Sequence, residues 1–101
     1  MKDGFIKAAA GTPDVRVADC EFNATEIIRM VHEMEEQGAK VMVFPELCIT
    51  AYTCGDLFWQ ENLLEEAKVQ LVRIAEETAD VDAIIFVGLP LEYTGKLYNV
   101  A

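Results

Sequence analysis

The stretch "VMVFPELCITAYTCGDLF", residues 41–58, sets one carboxylate, Glu46, directly after an apolar run and a proline, and follows it with Cys48, Tyr52 and Cys54. Pro45 removes a ladder donor and holds Phe44 extended, so a strand through 40–44 ends there and Glu46 stands just past its carboxyl end. In an open parallel sheet that edge is where ligands bind. A carboxylate in otherwise apolar surroundings is costly unless it is paired or used. Two readings fit Glu46: a turn cap that accepts backbone N–H bonds, or a carboxylate put to functional use at the sheet edge. A lone carboxylate completes neither acid–base nor covalent catalysis, because a nucleophile and donors for the developing oxyanion are also needed.

The other reactive residue types are less suggestive. Cys48 and Cys54 have no second ligand or basic partner at motif spacing, so both read as small buried hydrophobes rather than as nucleophiles or metal ligands. With Cys20 they make three cysteines, which is no even-numbered framework and matches no zinc or redox spacing; they read as reduced thiols. Tyr52, six residues after Glu46, could line the same pocket. His32 lies off the apolar face of its helix and reads as an exposed or boundary residue. Asp14 and Asp19 read as loop and pre-helix polar residues, and Phe58 and Trp59 as packing for the second helix. "AAAGTPDV" has one glycine where a dinucleotide-binding loop needs three, and neither a Ser-centred nucleophile elbow nor a His-rich metal cluster is present.

Alternating elements position these residues. "FIKAAA" at 5–10 reads as a first strand ended by the Gly and Pro of "GTPD". In "CEFNATEIIRMVHEMEEQGAK" the pattern predicts a helix beginning at residue 24, with Asn23 as N-cap, Glu26 as its capping-box partner and Phe22 stapled onto Ile27. Ile27, Val31 and Met34 form its core face, and Gly38 supplies the left-handed exit. "KVMVF" at 40–44 lacks polar alternation, the pattern of a parallel strand buried on both faces. A second amphipathic helix over 62–78 puts Leu64, Ala67, Leu71, Ile74 and Ala75 on one stripe. "AIIFVGLP" at 83–90 reads as a third strand, and "LEYTGKLYNVA" as a hairpin around Thr94 and Gly95. The order βαβαβ, then a returning β-strand, implies an α/β fold with a parallel sheet.

The chain is 101 residues long, 52% hydrophobic and 26% charged, which describes one small globular unit. Its formal net charge of −10 opposes binding to nucleic-acid phosphates and anionic membranes. No apolar run reaches the roughly 20 residues that cross a bilayer, and "MKDGFIKAAAG" is a poor secretory signal, so the expected compartment is the cytoplasm. Because "LYNVA" closes inside an apolar strand, the expectation is a truncated, amino-terminal part of something longer.

The residues resemble a known family. "VMVFPELCITAY" is similar to the first signature of the carbon–nitrogen hydrolase (nitrilase) superfamily: an apolar strand, Phe-Pro-Glu, and a Tyr six residues after the Glu. "TAYTCGDLF" more specifically resembles the amino-terminal glutaminase domain of the glutamine-dependent NAD synthetases. Both flanks agree, "IKAAAGTPDVRVADCEFNATEII" with that family's first strand and Asn-started helix, and "IIFVGLPLEYTGKLYNVA" with its third strand and Tyr-Asn hairpin.

The resemblance implies a partial nitrilase-like αββα sandwich, with residues 1–101 as the amino-terminal portion of a glutaminase domain. It implies a Glu-Lys-Cys triad that hydrolyses glutamine to ammonia through a glutamyl thioester, with Glu46 as the base and Tyr52 in the pocket. The family's Lys and Cys fall beyond Ala101, so this chain alone is expected to be inactive and to bind no cofactor or metal of its own. The resemblance further implies a parent in which a carboxyl-terminal synthetase domain uses ATP and Mg2+ to amidate nicotinic acid adenine dinucleotide to NAD, and which forms a homo-oligomer. Two alternatives stay open: another amidase of the superfamily, and a non-catalytic acidic α/β binding module. In a sandwich each sheet faces the other, so the sheet of this chain is expected to keep one face open.

Overall fold

The computed structural model describes residues 4–51 and 60–101. Its elements follow the order β1 (Ala8–Ala10), α1 (Cys20–Glu36), β2 (Val41–Val43), α2 (Glu61–Glu77), β3 (Ile84–Phe86), β4 (Leu89–Tyr93) and β5 (Lys96–Val100). The first three strands form a parallel sheet in the order β1-β2-β3, and β4 and β5 form a separate antiparallel pair. The apolar run 83–90 therefore does not continue as one strand. It breaks at Val87–Gly88 and restarts as the first strand of the hairpin.

In β1, β2 and β3 successive side chains point to opposite faces, and the register aligns them in rows. Ala9, Met42 and Ile85 form the middle row, which packs under the helices with Met42 fully buried in a core that includes Ile27, Val31, Ala67 and Ile74. The flanking rows, Ala8–Val41–Ile84 and Ala10–Val43–Phe86, turn to the other face. There Val43 is 44% exposed, Ile84 61% and Phe86 45%. This corrects the expectation that β2 is buried on both faces. Among the described residues α1 and α2 pack side by side and cover one side of the sheet alone.

The start of α1 also differs from expectation. Asp19, not Asn23, is the N-cap: its Oδ1 accepts from the Phe22 amide at 3.1 Å, and the Asn23 amide already makes a helical bond to the Asp19 carbonyl. Glu26 does not close a capping box; its carboxylate pairs with Arg29 at 2.8 Å. The far end is as expected. Gly38 has φ +83°, its amide donates to the Glu35 carbonyl and that of Ala39 to the Met34 carbonyl, so a left-handed glycine ends the helix in a Schellman motif.

In α2 the buried stripe is Leu63, Leu64, Ala67, Gln70 and Ile74, with Leu71 partly covered and Ala75 exposed. The stripe is rotated from the expected one because the helix packs against α1 as well as the sheet. Gln70 tolerates burial because its amide nitrogen donates to Glu66 and its oxygen accepts from Arg73. Arg73 also reaches across to the Glu21 carbonyl and Thr25 hydroxyl of α1. The hairpin turns on Thr94 and Gly95, both at positive φ, the geometry that matches a right-handed strand twist. Phe58 and Trp59 lie outside the described residues, as does the proposed packing role for them.

Candidate functional site

Three backbone hydrogen bonds carry the sheet past its nominal strand ends. The Gly11 amide donates to the Val43 carbonyl at 2.9 Å and the Phe44 amide to the Phe86 carbonyl at 3.0 Å. Beyond Pro45 the Ile49 amide donates to the Gly88 carbonyl at 3.1 Å. Residues 46–50 form one continuous turn between these points, at the carboxyl end of the central strand. Glu46 is the first residue of that turn and is exposed.

The backbone beneath Glu46 is tightly held. A Cβ on Gly88 would come within 2.5 Å of the Leu47 nitrogen and 3.0 Å of the Pro45 oxygen, so only glycine lets the β3–β4 junction approach the turn so closely. The Cys48 sulfur fills the rest of that contact, accepting from the Gly88 amide at 3.4 Å and facing the Gly88 carbonyl at 3.7 Å. Leu47 has φ +51° and Ala51 φ +67°. Left-handed backbone at a non-glycine costs on the order of 1–3 kcal/mol and persists where the surroundings over-determine it.

The second anchor of the turn comes from α1. Asn23 is fully buried, and its Nδ2 donates to the Ile49 carbonyl and the Arg16 carbonyl, both at 2.9 Å, while its Oδ1 accepts from the Arg16 amide at 2.7 Å. Alongside, the Ala18 amide donates to the Thr50 carbonyl at 2.9 Å. The loop after β1 and the turn after β2 are thus tied to each other and to the helix.

Glu46 borders two openings. One, of about 290 Å³, is lined with Phe44, Gly88 and Asn99 among others; a smaller one, of about 110 Å³, lies toward Thr12, Pro13 and Cys48. Among the described residues no Lys, Arg or His forms an ion pair with Glu46, and the backbone N–H groups that bond side chains there go to Asn23, Asp19 and Cys48. Among the described residues the turn-cap role therefore has no hydrogen bond to support it. Because Glu46 is exposed, the cost of burying a carboxylate does not arise either.

The remaining candidates fall where their chemistry is ordinary. Cys48 is 2% exposed, and burial pushes its thiol pKa up, with the Gly88 backbone pulling weakly the other way. That disfavours the thiolate a nucleophile needs. Cys20 is buried as well. His32 is exposed, 3.9 Å from the Glu35 carboxylate. Asp19 caps α1 and Asp14 is exposed. Tyr52 and Cys54 lie outside the described residues. Among the described residues no group of three or more His, Cys, Asp or Glu could hold a metal ion.

Sequence reasoning missed Gly88 and Asn23 as parts of this site. A glycine inside an apolar strand run is the recognised sign of close backbone approach, so Gly88 could have been found. Asn23 was hidden behind a stronger local pattern, since Asn followed three residues later by Glu reads first as a helix start.

An exposed carboxylate on a braced turn, at the carboxyl edge of a parallel sheet layered with helices, defines an α/β protein whose candidate site lies at a strand end. Residues 7–101 match the carbon–nitrogen hydrolase family, and the chain belongs to it. Its relatives include the glutamine-dependent NAD(+) synthetases of Mycobacterium leprae, 33% identical over 97% of this chain and 14% of that protein, and of Xylella fastidiosa, 34% identical over 96% and 18%. The crystal structure of a glutamine-dependent NAD(+) synthetase from Cytophaga hutchinsonii superposes with a TM-score of 0.86 at 30% identity, over 93% of this chain and 16% of that one. The corresponding Acinetobacter baumannii enzyme, in complex with adenosine diphosphate, shares the fold at a TM-score of 0.70 and 22% identity. The chain spans less than a fifth of the length of each of these proteins.

Proposed function

We propose that this chain is the amino-terminal portion of the glutaminase domain of a glutamine-dependent NAD synthetase, and that Glu46 is its general base. The observation that carries the reading is the placement of Glu46: exposed, directly after Phe44 and Pro45, on a turn braced from both sides at the carboxyl edge of β2. A base must reach the proton it takes and must keep its orientation while doing so. In the proposed reaction a cysteine from beyond Ala101 attacks the glutamine side-chain amide. Glu46 takes the thiol proton and delivers it to the departing ammonia, and a lysine from the same later region holds the tetrahedral intermediate. Water activated by Glu46 then opens the thioester.

Tyr52 is proposed to line the glutamine pocket. The ammonia is proposed to pass to a synthetase domain that uses ATP and Mg2+ and lies outside this chain, in a cytoplasmic homo-oligomer. No step is assigned to Cys48, whose raised pKa and engagement with Gly88 suit a packing role.

The test is Glu46→Gln in the full-length protein. Loss of a positioned general base costs roughly 10²–10⁴-fold, so glutamine-driven synthesis should fall at least a hundredfold while ammonia-driven synthesis stays within twofold. Unimpaired glutamine hydrolysis in this variant would show that Glu46 is not the base.

A further inference from the structure

We propose that Asn23 is a positioning residue for Glu46, acting through the 46–50 turn; this rests on the reading of Glu46 as the general base. Asn23 lines neither opening beside Glu46, and it is wholly buried near the start of a helix whose cap is already supplied by Asp19. Its helix neighbours in the core, Cys20, Ala24 and Ile27, are apolar or small, so packing alone gives no reason for an amide here.

What the amide does is join three segments. Its three hydrogen bonds all go to backbone atoms, two at Arg16 and one at the Ile49 carbonyl. Satisfying an N–H and two carbonyls at once needs a side chain that donates and accepts, which among short side chains of this shape means Asn. Ile49 is then held from both ends: its carbonyl by Asn23 in α1, its amide by Gly88 at the β3–β4 junction. Between this fixed point and Phe44, Leu47 sits in the left-handed region. The short segment that carries Glu46 has little room to relax while both anchors are in place.

Without Asn23 the Ile49 carbonyl and both polar groups of Arg16 lose buried partners, and the turn can swing away from α1. Substrate contacts made elsewhere stay, but the carboxylate no longer meets the reacting proton at the right place. A misplacement of about 1 Å at a distance from the chemistry can cost about a hundredfold. The expected signature is therefore a fall in kcat for glutamine with little change in KM.

The experiment compares Asn23→Ala, Asn23→Asp, Val31→Ala and Glu46→Gln in the full-length protein, measuring glutamine-driven and ammonia-driven synthesis and thermal melting. Asn23→Asp keeps the acceptor for the Arg16 amide but turns an oxygen toward the Arg16 and Ile49 carbonyls. Val31→Ala weakens the same helix at another fully buried position and reports what destabilisation alone does. Asn23→Ala and Asn23→Asp should lower glutamine kcat about 10- to 100-fold with KM within threefold, and Val31→Ala should leave it within twofold at a similar loss of melting temperature. Adding Asn23→Ala to Glu46→Gln should cause little further loss, because both act at one step.

Equal losses for Asn23→Ala and Val31→Ala, or full additivity with Glu46→Gln, overturn the proposal. So does failure of every Asn23 variant to melt cooperatively, which assigns the residue to the fold alone. If Glu46→Gln itself hydrolyses glutamine normally, the general-base reading falls and takes this one with it. If Glu46→Gln is inactive and Asn23→Ala is not, the positioning role alone is wrong.

Discussion

Glu46 has the exposure of any surface carboxylate, and what distinguishes it is the backbone underneath. Two residues further on, Cys48 offers a thiol next to a candidate base, yet the pair does not make a nucleophile and its activator. The Cys48 sulfur is enclosed and in contact with both backbone polar groups of Gly88, and its raised pKa keeps it a thiol. That shift has a consequence for stability. An acid whose pKa is higher in the folded protein favours folding below its ordinary value, here 9.0. The contribution fades as pH rises from there through the folded value, because the unfolded chain gives up its proton first. The difference in melting temperature between the protein and its Cys48→Ala variant should thus be widest at pH 7 and narrow by pH 10. A difference that grows with pH would contradict the buried neutral thiol.

At the scale of elements, α1 shows how a correct local rule can be applied one turn too late. Both Asp19 and Asn23 are residues that cap helices well, and Asn23 has Glu26 at capping-box spacing. The structure chooses Asp19 because Asn23 is drawn inward by Arg16 and Ile49, partners that only the tertiary fold brings near. Removing the Asp19 carboxylate should weaken the first turn by about 1 kcal/mol. Hydrogen exchange at the Phe22 amide should then quicken about fivefold in Asp19→Ala. Glu26→Ala should leave the Asn23 amide unchanged, since that amide bonds the Asp19 carbonyl and Glu26 serves Arg29 instead; faster Asn23 exchange in Glu26→Ala would restore the capping box.

The same distinction separates what was legible from what was not. The alternation of β1, α1, β2, α2 and β3, the Pro45 stop, the Gly38 exit and the Thr94-Gly95 turn depend on local chemistry and could be read from adjacent residues. The break at Val87–Gly88, the burial of Gln70 and the bracing of the 46–50 turn depend on contacts between segments far apart in the chain. For Glu46, sequence pointed to the residue and the sheet edge; a glycine in an apolar run hinted at the close approach of Gly88, while the support by Asn23 became visible only in three dimensions.

For the molecule as a whole, the controlling feature is the sheet face that no helix covers among the described residues. Val43, Ile84 and Phe86 lie together on it, and Phe5 and Ile6 near β1 are 81% and 54% exposed. At roughly 25 cal/mol per Å² of apolar surface, leaving such rows in water forgoes a substantial part of the stabilisation available to a chain this small. A contiguous apolar face is also a site of association. In an αββα sandwich it would be covered by a second sheet, and in the 101-residue chain by itself the available cover is another copy of the same face. The isolated chain should accordingly sediment as a concentration-dependent mixture and bind an apolar dye. Val43→Lys should reduce both effects while leaving helix content unchanged, because position 43 points away from α1 and α2. If the chain is part of a longer αββα sandwich, as proposed, the same substitution in the full-length protein should instead lower the melting temperature, by placing a charge between the two sheets. A sharply melting monomer at all concentrations would mean that this face does not drive association, and that the helical layer alone is enough to hold the fold.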